Sequence, residues 1–419
     1  MAIGRRRAHR EADVRPTILR GLRSLPFPRR GSLGANAWRV SVAGCLSAVG
    51  DGVRLVALPL SAVAATPDPV QITAVTAATR LPWVLAPVIG AAVDRFSRHR
   101  VMVAADVTRA AIMLLLAGVT LFRPPEIAML LVVALTAGVA EVFFETANHA
   151  LAPSLVTDRD FERVNARLVT VQAIGATLAG PPLGLLLWTM WAPAAFLLDA
   201  VSFAASAALI SRVTLGTATG PAPAGLLRST MTGLRYLTRH RTLRLLVVVM
   251  SATCFANQGV FSLLVLHTSA VLGLPGSSYG WLLIAGGVGS LAAANAAPAL
   301  LGLLSHRLAL VASVATLSAT CLGLAVTTWW PLAAGLIALN GAATAVLNVI
   351  VLSARQRLSP PHLLGRVTAG ARSVARGATA LGATTAGLAA GAFGLPLTWI
   401  LASAVLSASV LTLPAVRRP

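Results

Sequence analysis

Ile112-Met-Leu-Leu-Leu-Ala-Gly-Val119 carries no polar side chain at any position. A transmembrane β-strand alternates lipid-facing and lumen-facing residues, and this run does not alternate; nor does Leu245-Leu-Val-Val-Val-Met250. Lipid offers the backbone no hydrogen bonds, so a segment that cannot join a closed barrel must satisfy its own as a helix. The first run sits in an apolar block over about 100–122, close to the ~20 residues a helix needs to span hydrocarbon.

Similar blocks recur along the chain at roughly 38–65, 71–93, 126–148, 164–190, 193–213, 242–270, 278–303, 306–328, 330–352, 366–391 and 394–416. The expected fold is therefore an all-α integral membrane protein of twelve transmembrane helices. Composition agrees. Of 419 residues 56% are hydrophobic and 11% charged, against about 25% charged in a soluble domain, and the mean hydropathy is +0.79. Too little charge is available to coat a water-exposed surface of this size.

The net charge of +21 comes wholly from arginine, since lysine is absent. The arginines punctuate apolar blocks and form no single basic face, which excludes a nucleic-acid partner. Their positions orient the chain. With the N-terminus inside, the inner segments hold Arg5 through Arg39, Arg95, Arg98, Arg100, Arg159, Arg163 and the run from Arg212 to Arg244. They also hold Arg307, Arg355, Arg357, Arg366, Arg417 and Arg418, while the opposite loops hold only Arg123. That asymmetry is the positive-inside signature of a multi-pass protein of the cytoplasmic membrane with both termini inside. Anionic lipids are the expected partners of the inner face.

Residues 1–36 read as a basic, disordered cytoplasmic tail without the apolar stretch of a signal peptide. The hydrophilic stretch 214–241 then divides the chain into a first bundle, 37–213, and a second, 242–419. Leu155–Val164 aligns without gaps on Leu358–Val367, and Ala86-Pro87 on Ala297-Pro298, which suggests a parallel repeat of two six-helix bundles. Cys45, Cys254 and Cys321 each lie in an apolar block without a ligand-like neighbour, so no metal site, disulfide framework or cofactor is expected. Without a phosphate-cradling GxxxxGK[ST] loop or an HExxH motif, nothing suggests an enzyme, and an ion gradient or the substrate's own gradient is left as the driving force.

Three motifs add detail. Gly90-Ala-Ala-Val-Asp94-Arg95-Phe-Ser-Arg98-His-Arg100 resembles the G-x-x-x-D-R-x-G-R-[KR] loop of the major facilitator superfamily, with Ser97 in place of the usual glycine. Gly180-Pro181-Pro-Leu-Gly184 resembles the G-P-x-x-G helix motif of its proton-coupled antiporters. Pro360-Pro361-His-Leu-Leu-Gly365-Arg366-Val367 resembles the lead-in to the eleventh helix in the branch of macrolide and enterobactin exporters. The resemblance implies two pseudo-symmetric bundles, with Gly90, Asp94, Arg95, Arg98 and Arg100 as a conformational latch; a monomer is expected. It also implies proton-linked export of a lipophilic small molecule. Uptake, lipid movement, or a non-transporting sensor with the same fold are the alternatives.

Ionisable groups inside a span are costly and mark function. Asp51 lies mid-way along the first span, with Arg54 one turn on and Arg80 at similar depth in the second, so either arginine could pair with it. Glu141 and Glu145, four apart, share one face of the fourth span; proton-linked carriers of the family usually place an arginine in that helix, and this chain has none. Asp51, Arg54, Arg80, Glu141 and Glu145 are therefore the candidates for proton or substrate coupling. Asp199 reads as a structural partner and His267 as interfacial. Arg372 and Arg376 share a face of the eleventh span, where they could meet an anionic ligand or reach back to the inner surface.

Overall fold

The computed structural model describes residues 35–93, 95–151, 175–213, 226–360 and 363–410. The basic tail, Asp94, the first repeat segment, the start of the linker, Pro361-His362 and the C-terminal end lie outside them. Among the described residues nine helices are long and apolar enough to cross a membrane; the count of twelve rests in part on residues outside the description.

Helix α1 (Ala35–Ala65) is 31 residues long, about 46 Å at 1.5 Å per residue, so it crosses the hydrocarbon with turns to spare. Its base is tied down by Arg39, which donates to Asn36 Oδ1 at 3.1 Å and to the Arg212 carbonyl at 2.7 Å. The second membrane segment is not the continuous span its hydropathy suggests. Asp68 caps α2 (Pro69–Arg80), accepting from the Val70 amide at 2.9 Å. A 3₁₀ turn, Leu81–Leu85, then interrupts the helix before α3 (Ala86–Val93) resumes it. Pro82 supplies the cause, since it has no N–H to give and its ring crowds the preceding turn.

Ser97 caps α4 (Arg98–Phe122) by accepting from the Arg100 amide at 3.4 Å. The residue that departs from the family motif thus performs the capping that serine favours. Helix α5 (Ile127–Leu151) follows. A π-helical turn at Gly175–Ala179 then leads into α6 (Gly180–Met190), with Pro181 in its first turn where a missing N–H costs least. Helix α7 (Ala192–Ser211) completes the first half.

Helix α8 (Leu226–Arg239) lies in the linker, with Leu237 buried and Tyr236 donating to the Leu358 carbonyl at 3.2 Å. The second half comprises α9 (Arg241–Ala270), α10 (Tyr279–Leu303), α11 (His306–Val326), α12 (Trp330–Leu358) and α13 (Leu364–Val410). Helix α13 is two helices joined at Gly394, whose φ of 80° and ψ of 169° lie outside any helix and suit only glycine. Pro396 follows two residues later, at the kink between the two helices.

One apolar core runs through both halves, joining Val53, Val56 and Leu60 of α1 to Val260, Leu264 and Tyr279. Several contacts join the halves toward the arginine-poor end. Tyr279 donates to the Leu55 carbonyl at 3.4 Å. Leu60 approaches Gly276, Leu185 packs on Gly280, and Val70 and Thr73 of α2 face Gly391 and Gly387 of α13.

Candidate functional site

Four helices of the first half bring ionisable side chains to one place. From α1, Arg54 pairs with Asp51 at 2.5 Å and with Glu141 of α5 at 3.4 Å. Arg80, at the end of α2, also reaches Glu141 at 3.4 Å. The carboxylate of α5 is therefore shared between two arginines. Of the two partners open to Asp51 from the sequence, the structure selects Arg54; Arg80 goes to Glu141.

Arg109 of α4 completes the cluster. It forms a tight ion pair with Asp106 one turn before it and lies 3.9 Å from Asp51. Its guanidinium stacks between two aromatic faces, 4.6 Å from Phe144 and 4.2 Å from Phe203. Cation–π contacts of this kind gain strength when water is excluded, and Arg109 is only 1% exposed. The sequence reading omits Asp106 and Arg109, although Asp51-Gly-Val-Arg54 and Asp106-Val-Thr-Arg109 carry the same i, i+3 pattern. The arginines of this cluster come from α1, α2 and α4 and not from α5.

Burial divides the cluster in two. Asp106 and Arg109 are sealed, whereas the side chains of Asp51, Glu141 and Arg80 keep 29%, 14% and 25% of their surface. The accessible members can exchange protons or meet a ligand; the sealed members hold the helices in register. Glu145, one turn beyond Glu141 on α5, is half-buried.

Asp199 of α7 is fully buried, and neither carboxylate oxygen has a hydrogen-bond donor among the described residues. It is not the paired structural residue expected. His267, expected at the interface, is buried, its ring set edge-on to Trp399 with the ring centres 5.5 Å apart.

The Gly-Pro helix supports this arrangement from the side. At Gly180 a Cβ would stand 2.5 Å from Gly52 Cα, and at Gly184 2.8 Å from the Val53 carbonyl oxygen. Gly50 faces Ser202 and Asp199 of α7. Glycines on either side of Asp51 thus let α1 press against α6 and α7. A Cβ on Gly52 would lie 2.7 Å from the Ala176 carbonyl oxygen. Gly52→Val is therefore expected to cost about 1–3 kcal/mol through overpacking, read as a lower thermal unfolding midpoint in detergent; an unchanged midpoint would refute the close fit.

At the loop motif, Gly90 is buried, Arg98 half-buried, and Arg95 and Arg100 exposed. Asp94 lies outside the described residues. In the second half the polar groups are mostly uncharged. Asn257 of α9 donates to Thr344 at 2.9 Å, and Asn340 of α12 donates to Asn257 at 3.4 Å and to Thr320 of α11 at 3.2 Å. Arg376 of α13 is the exception: its guanidinium lies 4.1 Å from the centre of the Trp83 ring in the first half.

The nucleoside transporter NupG superposes over 91% of this chain and all of its own, with a TM-score of 0.74 and 12% identity. A bacterial homologue of the iron transporter ferroportin, in its inward-facing state, covers 90% of this chain and 98% of its own, with a TM-score of 0.69 and 18% identity. The multidrug efflux pump Tap of Mycobacterium tuberculosis is 27% identical over 390 residues, covering 88% of this chain and 91% of the pump. The same pump in Mycobacterium bovis matches equally. The family model of transmembrane secretion effectors matches residues 31–419. With its paired bundles of apolar helices and a buried charge cluster in the first, the chain belongs to the transmembrane secretion effector family of major facilitator transporters.

Proposed function

We propose that this transporter exports lipophilic small molecules and that protons entering the membrane drive it. Kinship with a multidrug efflux pump supports the outward direction. The observation that carries the coupling is the sharing of partly accessible Asp51 and Glu141 among Arg54, Arg80 and Arg109. Protonating either carboxylate would release an arginine to its remaining partner and redistribute contacts among α1, α2, α4 and α5. The arrangement thus has alternative pairings that a proton can choose between.

Such a choice suits alternating access, in which two halves rock about a central site. In this reading Gly90, Asp94, Arg95, Arg98 and Arg100 latch the cytoplasmic side when it closes. Gly180, Pro181 and Gly184 keep α6 tight against α1 and limit leak. The transporter works as a monomer, and its arginine-rich end rests on anionic lipid.

Inside-out membrane vesicles with an acidified lumen test the direction. A lipophilic dye such as phenylnaphthylamine is expected to accumulate and to leave when a protonophore collapses the gradient. Accumulation only in right-side-out vesicles would indicate uptake. Gradient-independent movement of lipid analogues alone would indicate a lipid carrier, and no movement a sensor.

A further inference from the structure

Arg376 stands on the part of α13 that crosses the membrane, and it forms no ion pair among the described residues. A guanidinium at such depth is costly without a counter-charge. Its stacking on Trp83 offsets only part of that cost. Across the interface Arg80 holds Glu141 at 3.4 Å, longer than the 2.7–2.9 Å of a well-formed charged hydrogen bond, and is a quarter exposed. Arg80 caps the start of the 3₁₀ turn that carries Trp83. Trp83 Nε1 also lacks an acceptor among the described residues. Donors from both halves thus meet at Trp83, where acceptors are short among the described residues.

We infer that Arg80, three residues before Trp83, and Arg376, stacked on the Trp83 ring from the other half, form a subsite for an anionic group on an otherwise apolar substrate. A carboxylate, sulfonate or phosphate there would neutralise Arg376 and draw in Arg80. Planar guanidinium groups suit such oxygens because they can bond them in pairs. The indole supplies an apolar surface for the adjoining part of the molecule. Because Arg80 and Arg376 belong to different halves, the ligand would bridge the surfaces that move during transport. This inference rests on the reading that the substrate path runs between the halves.

The test uses two dyes with one ring skeleton, anilinonaphthalene sulfonate and its uncharged analogue phenylnaphthylamine. Each is titrated by fluorescence into the purified full-length protein in maltoside micelles. The wild type is expected to bind the sulfonate more tightly. Arg376→Gln should weaken sulfonate binding about tenfold, the value of a lost charged hydrogen bond, and leave the neutral dye within about twofold on the same scale. Retained binding of the neutral dye shows that the variant is folded, and Arg376→Lys should restore part of the preference.

Phosphatidylglycerol and inorganic phosphate then compete with the bound sulfonate dye. Displacement by the lipid but not by phosphate would support an amphiphilic anion, whereas displacement by phosphate alone would overturn the apolar part of the proposal. Equal wild-type affinity for the two dyes, no binding of either, or an equal loss of both in Arg376→Gln would overturn the subsite. Sulfonate-selective binding without transport in vesicles would leave the subsite standing and remove the exporter reading.

Discussion

Replacing Arg109 with leucine is expected to destabilise the first half by about 3–5 kcal/mol, the usual loss when one partner is taken from a buried ion pair. The guanidinium neutralises Asp106 and approaches Asp51 while filling the space between Phe144 and Phe203. Leucine would leave Asp106 charged and sealed from water. The paired substitution Asp106→Leu with Arg109→Leu removes both charges, and replacing a whole buried pair with apolar groups is often near neutral. Thermal unfolding in detergent should therefore show a lower midpoint for R109L and recovery of most of the loss in the double variant. If R109L melts with the wild type, the pair does not hold these helices together; if the double variant is as unstable as R109L, the aromatic contacts and not the charges matter.

Asp51→Asn is expected to keep the fold and abolish gradient-driven accumulation. Asparagine retains an acceptor for Arg54, which also keeps Glu141, and Arg109 keeps Asp106. The stability cost should be about 1–2 kcal/mol, as for a single hydrogen bond to a charged group. What is lost is a carboxylate that can take and release a proton. In the inside-out vesicles, D51N should accumulate no more dye than vesicles lacking the protein, while dye still equilibrates down its own gradient. Wild-type accumulation by D51N would remove Asp51 from the coupling path.

Much of this architecture could be read from the chain. Apolar blocks give helix positions directly because lipid leaves the backbone no other solution, and the gap before 394 falls where Gly394 kinks the chain. Helix interruptions were harder to see. Hydropathy is unchanged through Leu81–Leu85, and only Pro82 signals the break that separates Arg80 from the rest of its segment.

At the site, spacing along one helix was legible and pairing between helices was not. Asp51 and Arg54 identify each other by their i, i+3 spacing, and the same rule would have found Asp106 and Arg109. No rule of spacing assigns Arg80 to Glu141, or sets Trp83 under Arg376, because these contacts depend on helix rotation and on which bundle faces pack. Burial of Asp199 and His267 escaped for the same reason. Depth within a span is readable from sequence, but whether a residue faces lipid, cavity or protein is not.

The most direct test of proton-driven export through this cluster follows pH inside proteoliposomes as substrate crosses. With purified wild-type protein, each addition of phenylnaphthylamine should evoke a proton flux opposite in direction to dye movement, and D51N should give dye movement with no proton signal. Dye transport by the wild type without any proton flux, or an undiminished flux in D51N, would contradict it.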